Sequence, residues 1–392
     1  MKKKYWIILL LSLCLVSNAL AVTVPDGTTS DGETYIALEN DESAVDVSGT
    51  ANAVITNADI QKNSGDALSA DASSFRGVNA AVRVYDQAKL ELKSSTITAE
   101  ASNATGVFAY DGGVIHMEDC TVTVSGGGAG GVQVAGGGTL TGNNLTVTST
   151  SKAAIRSDRG GGIMILDGGT YISTEKNGCP AIYSTADITV KNATCFSQQS
   201  RAVIIEGKNT VTLENVTIEG NDQSTKEGSV KANVLLYQSA SGDASEGTSI
   251  FTMNGGEMTA HSGAMFYCTN TDSVINLEEA ILNLSEDQSL LIVSAGRWGK
   301  DGKNGGDCEL NAYHQSLSGS IIVDEISSLA MNMASSQFTG AITGNGKVTV
   351  SLDDESTWTL TDDSAVSELN GNLSNIVLNG YSLTVNGEVI TD

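Results

Sequence analysis

The stretch from residue 296 to residue 307 carries the most unusual polar groups in the chain, with the sequence GRWGKDGKNGGD. Asp301, Asn304 and Asp307 offer carboxylate and amide oxygens, which are the ligands that calcium takes in proteins. Their spacing matches neither an EF-hand loop nor the glycine-rich calcium nonapeptide, and Lys300 and Lys303 oppose a bound cation. A calcium site is therefore one hypothesis for this stretch and an ordinary metal-free loop is the other. No other cofactor is expected.

Three aromatic residues form a second candidate group. Trp298 lies in the same stretch, and Tyr237 and Tyr267 precede it by intervals that fit neighbouring repeats of the chain. Exposed aromatic rings can stack on the faces of sugars, so these residues predict a glycan-binding surface. The alternative is that Trp298 fixes its loop to the wall of the fold.

Positioning these residues requires a scaffold, and the scaffold is visible as three repeating columns of residues. Threonines recur at steps of 25, 25, 24, 24 and 23 between residues 96 and 217. Two apolar columns share the period. They are Leu90, Ile115, Leu140, Ile165, Val190 and Leu213, and Val82, Val107, Val132, Ile155, Ile182 and Val203.

The columns predict an all-β solenoid of about three short strands per coil. Each strand is too short to bury its apolar face alone, whereas stacking one coil on the next pairs the backbone in parallel and buries like residues on like. Glycine-rich breaks at residues 111–113, 136–138, 167–169 and 255–256 are expected to supply corners with positive φ. Helical repeats would need apolar residues at i, i+3, i+4 and i+7, which these segments lack.

The chain divides into four predicted sections of one elongated domain. Residues 1–21 have a basic start, a short apolar run and an Ala19-Leu20-Ala21 cleavage site, which is typical of a secretory signal peptide. Residues 22–80 are expected to form an N-terminal cap and the first coils. Residues 81–320 are expected to form the regular β-helix, and residues 321–392 a narrower C-terminal solenoid.

Charge and hydropathy restrict the partners. The formal net charge is −25 and becomes −28 once the three lysines of the signal peptide are removed. Such a chain repels nucleic acid and anionic lipid, so nucleic-acid binding is not expected. No membrane-spanning segment is expected after signal cleavage, because the only long apolar run lies in the signal. We expect a secreted or cell-surface monomer.

Five cysteines follow the predicted cleavage site: Cys120, Cys179, Cys195, Cys268 and Cys308. Their number is odd and no Cys-x-x-Cys pair occurs, so the pattern indicates neither a zinc site nor a small disulfide scaffold. Cys195 occupies the slot of Val122 and Val147 in other coils and is expected to be a small buried hydrophobe. The disulfide state stays open, and a bridge such as Cys179–Cys195 is one alternative.

At this point the sequence resembles a known group of proteins. The coils are similar to those of right-handed parallel β-helix (pectin lyase-like) proteins, which include pectin-degrading enzymes, phage tailspikes and bacterial adhesin passengers. Residues 356–364, STWTLTDDS, with Val366 and Leu369, resemble the end of autotransporter passenger domains. Autotransporters continue into a membrane β-barrel, which this sequence does not contain. The resemblance implies an adhesin-like role without that means of attachment.

An enzyme of this family would need a recognisable set of catalytic groups. Asn270-Thr271-Asp272 matches the first part of the polygalacturonase set, but no Asp-Asp pair lies within the following 80 residues and no Gly-His-Gly occurs. Arginines 156, 159 and 201 are interpreted as solvated charges on coil corners. The three histidines fall in unrelated coils, so no triad is indicated. No catalytic residue is assigned.

The sequence thus predicts a secreted or surface-displayed bacterial β-helix that is adhesin-like and binds a polysaccharide or a host surface glycan. Its weak candidate ligand-binding residues are Tyr237, Tyr267 and Trp298. The alternative is a carbohydrate-active enzyme, either a polysaccharide lyase or a glycoside hydrolase, on the pectin lyase-like fold.

Overall fold

The computed structural model describes residues 18–20, 22–175 and 179–391. Most of the predicted signal peptide, residues 1–17 and Ala21, lies outside this range. The described part of that segment, Asn18–Leu20, forms a short strand parallel to Thr34–Ala37.

The chain is a parallel β-helix, as the columns of residues predict. Each regular coil contributes one strand to a 13-stranded sheet, called here the second sheet, and then two successive strands to a 23-stranded first sheet. The first of these two strands is, from coil to coil, Thr29–Asp31, Asn52–Thr56, Lys89–Lys93, Val114–Glu118, Gly138–Ser149, Gly162–Ser173, Asp187–Lys191, Thr210–Glu214, Ser249–Asn254, Asp272–Glu278, Asp307–Tyr313, Ser328–Ala334, Lys347–Leu352 and Glu368–Asn370.

The second first-sheet strand of each coil begins after a corner. Gly138–Ser149 and Gly162–Ser173 are exceptions, because each of these strands runs through both positions. These strands are Asn18–Leu20, Thr34–Ala37, Asp59–Lys62, Thr96–Ala99, Thr121–Val124, Thr194–Ser197, Thr217–Gly220, Glu257–Ala260 and Ile281–Asn283.

The second sheet consists of Val22–Thr23, Val45–Val47, Val82–Val84, Val107–Tyr110, Val132–Ala135, Ile155–Ser157, Ile182–Ser184, Val203–Glu206, Ala232–Tyr237, Ala264–Thr269, Ser289–Val293, Ser320–Val323 and Ile342–Gly344.

The strands form because side chains alternate between the interior and the solvent. In Lys89–Lys93, for example, Leu90 and Leu92 are buried, whereas Lys89 and Glu91 are exposed. The interior residues of all coils belong to one continuous apolar core. The two predicted columns that run through Thr96 and through Val82 are confirmed residue by residue in the parallel pairings.

The column through Leu90 is wrong from its fourth member. Leu140 pairs with Met164, not with Ile165, and Met164 pairs in turn with Ile188. Met164 is fully buried, whereas Ile165 points outward with 42% of its surface exposed. The reason is that this coil has 24 residues instead of 25, and in a strand a shift of one residue moves a side chain to the opposite face.

The corner between the two strands of the first sheet contains a residue with positive φ, or two where it is a Gly-Gly pair. Asn144, Gly168 and Asn192 occupy it in three consecutive coils, with φ of 52°, 70° and 49°. Asparagine tolerates this conformation, and its side chain can bond to the coil below. Asn144 Nδ2 accordingly donates to Asp119 Oδ1 at 2.6 Å. The predicted glycine-rich corners are confirmed by positive φ at Gly112, Gly137, Gly168, Gly169, Gly255 and Gly256.

Both ends of the solenoid depart from the regular pattern. Near the N-terminus the helix Ala70–Arg76 lies in a loop between the sheets, with Ser69 as its N-cap and Gly77 as its C-cap. Toward the C-terminus the coil length falls to 21 and then 19 residues, as the pairs Ser328↔Asp307 and Lys347↔Ser328 show. This shortening agrees with a narrower terminal section, although the predicted section boundaries stay an interpretation.

A four-stranded sheet and a three-stranded sheet complete these last coils. Their strands are Ser316–Ser318, Gln337–Thr339, Thr357–Thr359 and Ile376–Val377, and Ser364–Val366, Leu383–Val385 and Glu388–Ile390. The short 3₁₀ helix Leu373–Asn375 precedes the last turn. The final two strands are antiparallel, so the last edge of the solenoid is paired with its own chain. Among the described residues, no helix is long and apolar enough to span a bilayer.

Candidate ligand-binding site

A cleft of about 420 Å³ opens on the outer face of the second sheet. Its floor is one column of outward side chains that pair from coil to coil: Arg156, Tyr183, Ile204, Leu235 and Tyr267. Apart from Arg156, these residues belong with Tyr237 to an apolar cluster that is separate from the interior core. We call this site the outer cleft.

Two long excursions from the regular coil line the outer cleft. Residues 224–230, between a strand of the first sheet and the next strand of the second sheet, supply Lys226, Ser229 and Val230. Residues 294–306, which turn from the second sheet back to the first, supply Arg297 and Trp298. The volume lies within the range of small-molecule pockets, so the site suits a short segment of a ligand.

The outer cleft is cationic although the chain as a whole is strongly acidic. Five basic residues line it, and no Asp or Glu is found among the described lining residues: the five are Lys152, Arg156, Arg201, Lys226 and Arg297. This reverses the charge sign of the rest of the chain, which carries 46 acidic against 21 basic residues. A local surplus of cations in a partly enclosed site favours an anionic ligand.

Two of the arginines are held by buried carboxylates behind the lining. Arg201 Nη2 lies 3.0 Å from Asp222 Oδ2 and also donates to the carbonyl of Val230 at 2.8 Å. Arg156 Nη2 lies 2.7 Å from Asp158 Oδ2. Burial lowers the pKa of Arg201 and Asp222 opposes that shift. Burial acts on Arg156 in the same direction, but Asp158 and other neighbours outweigh it and raise its pKa.

The Nε–H groups of Arg156 and Arg201 are buried and have no hydrogen-bond partner among the described residues. A buried donor without a partner costs free energy. These two Nε atoms are shielded from solvent, so that cost is carried inside the wall of the cleft. The expectation that these arginines are solvated charges on coil corners is wrong, because each side chain is only about a tenth exposed or less, at 12% and 7%.

A buried glutamate orders the aromatic part of the floor. The carboxylate of Glu206 accepts hydrogen bonds from the hydroxyls of Tyr183, Tyr237 and Ser239, with the Tyr237 bond at 2.8 Å. Burial, followed by neighbouring negative groups, raises the pKa of both tyrosines. Both phenols therefore stay protonated and act as donors to the carboxylate. The carboxylate of Glu206 is therefore bound by three hydroxyl donors within the wall of the site.

The protonation equilibrium of Lys152, in the lining of the cleft, is shifted. Its Nζ donates to Ser74 Oγ at 2.9 Å, in the helix Ala70–Arg76. Burial and then the charge of Arg156 lower the pKa of Lys152 to about 8. The neighbouring Cys179 donates from its thiol to the carbonyl of Ser151 at 2.6 Å, and burial raises its pKa to about 11. Near pH 7 the lysine is thus mostly charged and the thiol is neutral.

The structure brings the three predicted aromatic residues together in this cleft. The rings of Tyr237 and Trp298 lie 5.0 Å apart at 40°, and the guanidinium of Arg297 lies 4.0 Å from the centre of the Trp298 ring. Tyr237 and Tyr267 are buried rather than exposed as expected. Trp298 does pin its excursion to the wall, and it lines the cleft as well.

The three predicted calcium ligands lie in different surroundings. Asn304 is buried and donates to the carbonyl of Gly296 at 2.7 Å, Asp301 is exposed in a turn, and Asp307 accepts a hydrogen bond from Ser328. Within the described residues, no three His, Cys, Asp or Glu side chains gather as a metal site would require. Calcium at Asp301, Asn304 and Asp307 stays a prediction.

The remaining catalytic candidates have structural partners. Asn270 has a φ of 53° and donates to the carbonyl of Gln238 at 2.7 Å, which fits a turn. His116 bonds to Thr141 and His261 to Glu219, in different parts of the solenoid. The sequence did contain a signal for the outer cleft. Arg156 and Tyr183 each follow a member of the Val82 column, and alternation places such residues on the outer face.

Comparisons with protein-family models, with curated proteins and with solved structures found no match for this chain.

Proposed function

We propose that this chain is an exported, adhesin-like β-helix protein that binds an acidic glycan in the outer cleft. The observation that carries the proposal is the set of five cationic side chains, with no acidic residue among the described lining residues, around a floor of tyrosines. Guanidinium groups match carboxylates in geometry, and aromatic rings fit the apolar faces of sugars. A saccharide that carries carboxylates, such as a uronate, satisfies both parts of the site.

The position of the cleft supports binding at a surface. It opens on the side of an elongated solenoid, between two excursions, so a glycan chain can enter it while the rest of its length remains in solvent. The predicted signal peptide and the resemblance to pectin lyase-like proteins and autotransporter passengers belong to this proposal. The parallel β-helix supports the resemblance to these proteins at the level of the fold alone.

The test is a panel of immobilised glycans with acidic and neutral members of equal length. Purified wild-type protein is expected to bind members that carry carboxylates and to leave their neutral counterparts unbound. The double variant Lys226→Ala/Arg297→Ala removes two exposed cations of the rim and should lose this selectivity. The matched control Lys89→Ala, an exposed lysine on the first sheet, should keep it. Equal binding to neutral members, or binding to sulfated members alone, would refute the carboxylate proposal.

One observation favours a second candidate, an acidic-polysaccharide lyase. Lys152, with a pKa lowered to about 8 by burial, is a competent base at mildly alkaline pH beside the arginines that would hold a uronate carboxylate. The base would take the proton next to that carboxylate while the glycosidic C–O bond at the β position breaks, leaving a carbon–carbon double bond. The same panel tests it: unsaturated, ultraviolet-absorbing products that disappear in Lys152→Met would establish the lyase.

A further inference from the structure

Two cysteines meet in the interior of the solenoid just below the excursion that carries Trp298. The sulfur atoms of Cys268 and Cys308 lie 3.6 Å apart. Cys268 is an inward residue of Ala264–Thr269 in the second sheet, and Cys308 is an inward residue of Asp307–Tyr313 in the first sheet of the following coil. Both thiols are buried, and all five described cysteines are free in this structure.

No other described thiol is recorded in contact with a second cysteine. Cys120 donates to the carbonyls of Leu92 and Glu118, and Cys179 donates to Ser151. Cys195 stacks between Tyr171 and Ile218 in the core. The alternative bridge Cys179–Cys195 therefore has no support from these contacts. Among the described residues, the only two sulfur atoms in contact are those of Cys268 and Cys308.

We propose that Cys268 and Cys308 form a disulfide that links consecutive coils. The two thiols lose two protons and two electrons and gain one S–S bond. The oxidant is a second disulfide, that of a thiol–disulfide oxidoreductase or of oxidised glutathione, which is reduced to two thiols. Exchange passes through a mixed disulfide and needs access to one sulfur, so the bond forms while the coils are still stacking.

The bond would clamp the base of the excursion at residues 294–306. The carbonyl of Cys268 accepts a hydrogen bond from the backbone N–H of Ser294 at 3.2 Å, at the start of the excursion. At its end, a side chain added at Gly306 would lie 2.8 Å from the same carbonyl oxygen. The cross-link thus joins Ala264–Thr269, whose Cys268 carbonyl contacts both ends of the excursion, to Asp307–Tyr313, the strand that follows the excursion carrying Arg297 and Trp298. It encloses one complete coil, and a loop of that length loses much chain entropy when it is cross-linked.

The experiment is non-reducing peptide mapping of protein that is exported to an oxidising compartment and then unfolded in denaturant containing an excess of alkylating reagent, since the thiols are buried in the folded chain. We expect one cross-linked peptide containing Cys268 and Cys308, and alkylation of the three other described cysteines. Cys268→Ser and Cys308→Ser should each leave all four remaining cysteines alkylated. Cys120→Ser is the matched control, since serine occupies the equivalent position one coil earlier, at Ser95. It should keep the bridge.

Limited trypsin digestion tests the clamp through the exposed Lys300 and Lys303. Cleavage there should be several-fold faster in Cys308→Ser than in wild type or Cys120→Ser. Alkylation of both Cys268 and Cys308 in the exported wild type, or a bridge to a different cysteine, would overturn the proposal. Equal cleavage rates with the bridge present would overturn its role as a clamp. Neither result depends on glycan binding, so the proposed function is tested separately.

Discussion

The ring of Trp298 lies 5.0 Å from the ring of Tyr237, and this contact joins an irregular excursion to the regular second sheet. Tyr237 in turn donates its hydroxyl to the buried carboxylate of Glu206 at 2.8 Å. A residue in a glycine-rich loop is thereby fixed to a rigid strand. The contact between Trp298 and Tyr237 therefore holds one wall of the outer cleft in place.

Replacing Trp298 with alanine should weaken acidic-glycan binding about tenfold or more, because the wall loses both a ring and the surface that positions Arg297. Trp298→Phe keeps a ring against Tyr237 and should retain most of the affinity. Isothermal titration calorimetry checks both variants. Unchanged affinity in Trp298→Ala would show that Trp298 only fixes its loop and does not contribute to glycan binding.

The Arg201–Asp222 pair predicts a large effect on stability. Asp222→Ala leaves a buried guanidinium without its carboxylate and should lower the free energy of unfolding by about 3–5 kcal/mol. The double variant Arg201→Met/Asp222→Ala removes both charges and should be less destabilised than Asp222→Ala. Urea denaturation followed by circular dichroism measures the difference. If the double variant loses as much as the sum of the two single variants, the charges are not coupled.

Lys152 predicts the pH dependence of binding. Its pKa is lowered by burial to about 8, so the ammonium loses its proton as the pH rises from 7 to 9. Affinity for a carboxylated ligand should fall several-fold over this range. Cys179, with a pKa of about 11, stays neutral throughout. Lys152→Arg keeps its charge and should bind equally at both pH values, which calorimetry at pH 7 and pH 9 can show.

The same lysine should reduce stability at neutral pH. Because burial holds the pKa of Lys152 in the folded chain at about 8, below its ordinary value of 10.5, the unfolded chain binds the proton more tightly between pH 8 and pH 10.5. The contribution of Lys152 to stability is therefore least favourable below pH 8 and improves as the pH rises through that window. Lys152→Met should unfold at a higher urea concentration than wild type at pH 7. A lower midpoint would contradict this sign.

Adjacent residues Met164 and Ile165 test the register of the β-helix. Met164→Lys places a charge in the core and should cost more than about 3 kcal/mol or prevent folding, whereas Ile165→Lys, on the exposed side, should change stability by less than about 1 kcal/mol. Thermal unfolding of the two variants distinguishes them. If Ile165→Lys were more destabilising than Met164→Lys, Ile165 would be the buried residue that stacks on Leu140, as the apolar column predicts.

The fold could be predicted from the sequence because the stacking of coils repeats the same residue types at a nearly constant interval. Thr96, Thr121 and Thr146 pair as their spacing predicts. The prediction failed at Ile165 because Met164 and Ile165 are both apolar, so hydrophobicity alone does not choose between them. The step of 24 residues in the threonine column, from Thr146 to Thr170, was the signal that favoured Met164.

The site was predictable only in part. The aromatic group of Tyr237, Tyr267 and Trp298 was found from its residue types, but the basic lining was missed. Lys226 reaches the cleft on an excursion whose path no periodic pattern specifies, and Arg201, just before Val203–Glu206, is held by Val230 of that excursion. The partners that bury Arg156 and Arg201 are likewise known only once the chain is folded.

The most direct test of the central claim is calorimetric titration of the wild-type protein with one oligouronate and with its methyl ester, which has the same rings without the charges. The account predicts saturable binding of the free acid at one site and at least tenfold weaker binding of the ester. It also predicts that Lys226→Ala/Arg297→Ala abolishes the difference while Lys89→Ala preserves it. Equal affinity for acid and ester, or the same selectivity in the rim double variant, would contradict it.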